Sequence, residues 1–396
     1  MTLLSILLAA ASISPVVQPA GPPAKVVAPP RNARPAPASD VAALLRSAPD
    51  ASRWPNASKA TLLDLADITV RPNGTARTVT RQAIKIFTNL GREEESEVRV
   101  PYNAAFESVT IIRARTIRPD GSVLNVRPAD IRTAKPSEYD DARVISISMP
   151  GVQPGCIIEY EYVTDQRSSQ MPGHFWTQWY FQAGTDPVLL TRLTVRTPKD
   201  MVLQRRLRNS GIQPTVRPAA DGKTIVNVWE QRNVAPFELE PMMPPAETLL
   251  PKLTLSTIPD WDSIARWYAT LAKGRDTPTP EIKALARKLT AGKSDPAEKA
   301  RAIFHYVQER TRYVAIELGI SAYQPRPASK TLRNEYGDCK DMTTLLVSLL
   351  REAGIRAWPV LLEAGWSGSV SEQLPAPSAF NHAICVADIA GKSVWL

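Results

Sequence analysis

Apolar and polar positions change their spacing once along this chain. Between residues 50 and 250 the apolar positions fall in short runs. Ala83-Ile84-Lys85-Ile86-Phe87 and Ile157-Ile158-Glu159-Tyr160-Glu161-Tyr162-Val163 carry branched and aromatic side chains that suit a half-buried pleated surface. Turn formers punctuate the runs at Pro72-Asn73-Gly74, Pro119-Asp120-Gly121, Pro154-Gly155 and Asp221-Gly222. Short strands separated by such turns predict an all-β, sandwich-like domain over 50–250 rather than a doubly wound sheet. Phe175, Trp176, Trp179, Tyr180 and Phe181 fit a two-sheet core with a partly exposed rim. A carbohydrate or peptide platform is the alternative reading of that cluster.

Past the hinge at Met242-Met243-Pro244 and Pro251 the period becomes helical. Asp260 to Ala272 carries Trp261, Ile264, Ala265, Tyr268 and Leu271 on one face, and a second helix starts near Pro280-Glu281. A third has Asp295 as cap, Pro296 at the first helical position and Glu298 three past the cap. Strands are then predicted at Tyr313-Val314-Ala315-Ile316 and at Trp358 to Leu362, with a flexible stretch from Gly365 to Pro377 and a last strand opening at Phe380. Helices grouped before strands make 255–396 an α+β domain.

Between those two strand predictions lies Tyr336-Gly337-Asp338-Cys339-Lys340-Asp341, followed by Met342, Leu345, Leu346, Leu349 and Leu350 at helical spacing and Gly354 as a C-terminal cap. Cys339 therefore sits at a helix start, where unpaired N–H groups favour a thiolate, and Lys340 adds to that field. Asn381-His382 follows in an apolar strand 43 residues after the cysteine. A cysteine with a histidine is the minimum for nucleophilic thiol chemistry. A packed core cysteine and a buried histidine are the competing reading. Asp338 and Asp341 are explained as cap and dipole support rather than as a catalytic acid. Cys156 and Cys385 read as packed thiols, the latter because an offset of three from His382 turns it to the opposite face. His174 and His305 have no partner spacing.

Composition narrows the function classes. A chain of 396 residues predicts more than one domain, and 43% apolar residues are enough to build the cores. The net charge of +9 is spread along the chain without a basic stripe interleaved with aromatics, which argues against nucleic-acid binding. Three distant cysteines and three histidines show neither zinc-site spacing nor a CxxC pair, so no metal or other cofactor is expected. Leu3 to Ile13 is apolar and includes the small residues Ala9, Ala10, Ala11 and Ser12, which predicts an export signal over 1–20, although the usual positive start is absent. The run is too short for a stable transmembrane anchor. Eight prolines from Pro15 to Pro37 predict a disordered spacer over 21–45.

Glu317-Leu318-Gly319, Tyr323, Pro325, the GDCKD segment at 337–341 and Phe380-Asn381-His382 resemble the bacterial transglutaminase-like superfamily, and more narrowly its branch preceded by a DUF3857-type β domain. The resemblance spans about residues 50–396. It implies a papain/transglutaminase-like core with a Cys-His-Asp triad, in which Cys339 is the nucleophile and His382 the base. Backbone N–H groups at the helix start are candidates for the oxyanion, and Gln324 is a candidate oxyanion or substrate contact. The resemblance puts the triad Asp after a Trp-Leu pair, at position 397, so the core is expected to be cut short at its C-terminus. Asp388, the remaining carboxylate, lies at a hairpin end about 20 Å along the strand from His382. The expectation is an exported thiol acyl-transfer enzyme, periplasmic or secreted, acting on peptide or protein substrates and hydrolytic rather than cross-linking. A protein-glutamine amine transferase and a non-catalytic periplasmic binding or scaffolding protein are the alternatives. Oligomeric state stays open.

Overall fold

A computed structural model describes residues 38–182, 184–365 and 373–396. The expected export signal lies outside these residues, as does the spacer up to residue 37. The last part of that spacer is structured. Residues Ala38–Ser47 form α1, and Leu44 is buried against Leu62, Ala83, Ile117 and Ile157. Burying this leucine offsets the entropy of ordering the segment, which proline content alone did not reveal.

The first domain opens with β1 (Lys59–Val70), β2 (Ala76–Ile86), α2 (Asn89–Glu95), β3 (Glu97–Asn103) and β4 (Glu107–Ile117). Next come β5 (Val123–Asn125), β6 (Ile131–Ala134), β7 (Ala142–Ser148), β8 (Ile157–Gln166) and β9 (Trp176–Tyr180). It closes with β10 (Val188–Pro198), β11 (Gln204–Arg208), β12 (Thr215–Pro218), β13 (Thr224–Val234), α3 (Ala246–Leu249) and β14 (Lys252–Ser256). Eight strands make one sheet in the order β12-β13-β10-β1-β2-β8-β4-β5, and two three-stranded sheets, β11-β14-β9 and β3-β7-β6, complete the domain.

Cross-strand register explains the layering. Ala66 pairs with Leu193, which pairs with Trp229, and Ile84 pairs with Ile158. These rows share one face of the large sheet. The first row packs with Leu253, Leu255, Phe175 and Phe181, the second with Val98, Val100, Ile145 and Ile147. The result is a sandwich with two small sheets over one large one. Phe181 is fully buried, and Trp179 donates its indole N–H to the Thr191 hydroxyl at 3.1 Å. The aromatic cluster is therefore core rather than platform. β1 and β10 run parallel, a pairing that short turns cannot make and that needs a long crossover.

The second domain holds α4 (Trp261–Ala272), α5 (Pro280–Thr290), α6 (Pro296–Arg310), β15 (Arg312–Tyr313), α7 (Ala328–Asn334), β16 (Tyr336–Gly337) and α8 (Cys339–Glu352). The antiparallel sheet β17 (Ala357–Leu362), β18 (His382–Ile389) and β19 (Lys392–Trp395) follows. Asp260 and Asp295 cap α4 and α6 through their side chains, as their positions predict. The strand predicted at 313–316 shortens to β15, because only Arg312 and Tyr313 pair with β16. The stretch expected to be flexible ends in a buried segment: Ala376 and Pro377 are buried, and the Pro375 carbonyl accepts from the Ser256 hydroxyl at 2.6 Å. That bond ties the segment to β14 of the first domain.

α8 is the centre of this domain. Its apolar stripe packs with Ile282, Ile303, Val307, Ala357, Cys385 and Ala387. Thr343, Thr344 and Ser348 are buried as well, so the helix is enclosed on nearly every side rather than amphipathic. Thr344 returns its hydroxyl to the Lys340 carbonyl, and Thr343 donates to the Ala383 carbonyl of β18. The second bond locks the cysteine helix against the histidine strand.

Candidate active site

The first turn of α8 is held by a reciprocal cap: the Asp338 carboxylate accepts from the Asp341 N–H, and the Asp341 carboxylate accepts from the Asp338 N–H. This arrangement satisfies end donors that a buried helix cannot expose to water. Asp341 also takes the Arg326 N–H at 2.7 Å and the Arg326 guanidinium at 2.5 Å, while Lys340 pairs with Asp338. Gly337 is required by the same packing, since a Cβ there would lie 2.6 Å from the Asp341 Cβ. Both acidic residues are thus cap and anchor, as their positions suggested.

Cys339 and His382 line the same two cavities, one of about 220 Å³ and one of about 260 Å³. The start of β18 abuts the thiol directly, because the Ala383 N–H is hydrogen-bonded to the Cys339 sulfur. Asn381 fixes the approach of that strand: its amide donates to Glu363 at 3.0 Å and its carbonyl accepts the Ala364 N–H at 2.7 Å. Cys156 and Cys385 are buried, and burial pushes the Cys385 thiol up to about 12. Cys385 lies with Ala383 and Ala387 on the α8 side of β18, the face opposite His382. His305 is exposed on α6, and His174 faces the Thr257 carbonyl in the first domain, so neither approaches this site.

The thiol departs from the expectation of helix-start activation. Burial raises the Cys339 thiol and the Asp338 carboxylate raises it further, against the Ala383 N–H, Lys340 and the Tyr313 hydroxyl. The cap carboxylate beside the sulfur offsets the dipole, and the Lys340 charge is engaged by that same carboxylate. Tyr313 is a contact that the sequence did not indicate. Its hydroxyl is hydrogen-bonded to both the thiol and the backbone N–H of Cys339, and although the residue is 55% exposed, the local desolvation of the hydroxyl with the neighbouring sulfur pushes it up to about 12. That N–H is one of the helix-start donors expected to serve an oxyanion. Gln324 does not reach the site: its amide donates to the Leu271 carbonyl at the end of α4, at 3.2 Å. It anchors a loop and lines neither cavity.

The two cavities differ in chemistry. One is walled by Phe304, Val307, Met342, Leu346, Ile384 and Leu396. The other is walled by Trp267, Tyr268, Tyr323, Phe380 and Glu317, with Lys340 at its base. Glu317 is exposed as a residue, but the protein surrounding its carboxyl raises it, which Lys340 opposes and Asp338 and Asp140 reinforce. The first domain builds this wall: the Tyr139 carbonyl accepts the Glu317 N–H at 2.7 Å, and Gln170 accepts from the Tyr323 hydroxyl at 3.0 Å and from the Trp267 indole at 3.2 Å.

The hairpin after His382 turns through Ala390 and Gly391, both at positive φ, a two-residue turn suited to the twist of antiparallel strands. Ile389 pairs with Lys392, and Cys385 exchanges both backbone bonds with Leu396. This register is one residue displaced from a hairpin centred on Ala390. Asp388 is held by Arg356 and by the Gly391 N–H at the turn, and so cannot orient His382 at the other end of β18.

Comparison with known proteins matches this arrangement. Residues 72–238 match DUF3857, a domain of unknown function with solved structure, and residues 283–364 match the transglutaminase-like superfamily core. The chain carries a DUF3857 domain followed by a transglutaminase-like core. His382 lies past the segment matched to that core. A crystal structure of a candidate protease from Parabacteroides distasonis shares the fold at a TM-score of 0.72 and 20% identity, over 86% of this chain and 67% of that one. A candidate cysteine protease from Cytophaga hutchinsonii aligns at a TM-score of 0.27 and 13% identity, over 56% of this chain and 74% of that one. An M1 zinc metallopeptidase from Deinococcus radiodurans aligns at 0.28 and 12%, over 50% and 42%. No curated protein matches the chain.

Proposed function

We propose that this protein is an exported thiol hydrolase of peptide or amide bonds. The observation that carries the reading is that Cys339, at the start of α8, and His382, at the start of β18, together line two adjoining cavities. The Cys339 sulfur, losing its proton to His382, attacks the carbonyl carbon; the C–N bond breaks and the amine leaves with the proton from His382. Water then adds to the thioester, gives its proton to His382, and releases a carboxylic acid and the free thiol. An amine in place of water would give transfer. Hydrolysis is favoured because no feature among the described residues of the cleft encloses a dry channel for a separate amine acceptor. Export rests on the apolar segment Leu3 to Ile13. No helix among the described residues is long and apolar enough to cross a membrane.

The test is digestion of a peptide library by the full chain in ¹⁸O-water, with a diamine added in parallel. New carboxyl ends should carry ¹⁸O, should disappear with Cys339→Ala, and should fall by several orders of magnitude with His382→Ala, the loss in a complete triad being about 10⁶. Hydrolysis that survives in the Cys339→Ala variant overturns the assignment. Diamine adducts in excess of ¹⁸O products overturn its hydrolytic half.

A further inference from the structure

We propose that the cavity on the Glu317 side of Cys339 is a subsite for a primary ammonium group of the substrate, next to the bond that is attacked. This deepens the thiol acyl-transfer reading and rests on it. The opposite cavity offers mainly aliphatic and aromatic carbon and can take an uncharged side chain. The Glu317 cavity differs in three respects. Glu317 has no ion-pair partner among the described residues; Lys340, in the same cavity, pairs with Asp338 and acts on Glu317 from beyond ion-pair distance. The first domain brings Asp140 beside Glu317 through a backbone bridge, adding a second negative charge that acts on the Glu317 carboxyl. Tyr268, 7% exposed, is among the residues that line the cavity, and its buried hydroxyl has no hydrogen-bond partner among the described residues.

An ammonium group answers all three features. It carries three donors, enough for the carboxylate and for the lone pairs of the Tyr268 hydroxyl. The rings of Trp267 and Tyr323, whose centroids are 5.2 Å apart, form part of the wall, and aromatic faces attract cations within about 6 Å of their centroids. A carboxylate would be repelled by Glu317 and Asp140. An apolar group would strip water from Glu317 and the Tyr268 hydroxyl and return nothing. The ammonium is either a side-chain amine or a free α-amine, and the two share this chemistry.

The test labels Cys339 of the full chain at pH 7 and low salt with 2-aminoethyl methanethiosulfonate, a cation, and 2-sulfonatoethyl methanethiosulfonate, an anion. Each forms a mixed disulfide and releases methanesulfinate, read by intact mass. The cation-to-anion rate ratio should exceed that of the urea-unfolded chain by about tenfold, and should drop at least about fivefold in Glu317→Gln. Glu317→Asp should retain the preference, and Glu352→Gln, an equal charge change at the far end of α8, should leave it intact. Equal rates for both reagents, or a preference unchanged in Glu317→Gln, overturn the subsite. A folded Cys339 that reacts with neither reagent overturns the thiol reading instead. Protection of Cys339 by N-acetyl-lysine methylamide, by norleucine methylamide with a free α-amine, or by N-acetyl-norleucine methylamide separates the sources. Protection by the last equal to that by the others overturns the proposal.

Discussion

Arg326 holds the site together across two loops, and Arg326→Met measures how strongly. The guanidinium pairs with Asp341 at 2.5 Å and donates to the Ile316 carbonyl at 3.2 Å, so one side chain joins the α8 cap to the segment bearing Tyr313 and Glu317. Asp341 is 1% exposed. Removing its partner leaves a buried carboxylate held only by backbone N–H groups, which costs about 3–5 kcal/mol. The double variant Arg326→Met with Asp341→Asn no longer buries the charge and should recover all but about 1–2 kcal/mol, the cost of its lost hydrogen bonds. The two packed cysteines provide the assay. Cys385 lies in the α8 core and Cys156 in the β domain. Their labelling across a urea series, read by peptide mass, therefore reports each domain separately. The Cys385 transition should move by the stated amount and the Cys156 transition by much less. A shift below about 1 kcal/mol at Cys385, or no recovery in the double variant, would refute the view that a buried ion pair organises the site.

Two further outcomes follow from the charged groups. Because burial and Asp338 raise the Cys339 thiol above its ordinary value of 9.0, its alkylation by iodoacetamide should climb about tenfold per pH unit from pH 6 to 8 without levelling; a plateau below pH 7 would contradict this. Asp64, in the β domain, is raised by burial from 3.8 to about 6, with only the Gln82 amide opposing. A carboxyl raised on folding gives stability that is present below its unfolded value and lost as pH rises through about 6. Asp64→Asn keeps an acceptor for Gln82 and should gain up to about 3 kcal/mol at pH 7 while flattening that pH dependence, measured by the Cys156 transition; an unchanged pH profile would exclude it.

The sequence by itself determined what depends on near neighbours. Asp260 and Asp295 mark helix starts because a short acceptor before an apolar period can satisfy end N–H groups locally. The turns at Gly74, Gly121 and Gly222 are legible because positive φ is inexpensive only for glycine. Cys339 at a helix start and His382 in a strand were readable for the same reason, and so was the opposite face of Cys385. Tertiary structure alone decided the rest. Whether the Cys339 thiol rises or falls depends on burial and on the balance between Asp338 and Lys340, terms of opposite sign that no spacing resolves. Gln324 looks equally suited to an oxyanion or a loop, and only the position of the Leu271 carbonyl chooses between them. Thr343, Thr344 and Ser348 appear as a polar face of α8 but are buried, because strand and helix neighbours enclose the helix. Glu317 becomes part of the cleft because Tyr139 and Asp140, far away in the chain, meet it by backbone bonding. Such contacts are set by how two domains close on each other, and local sequence patterns carry no signal of that closure.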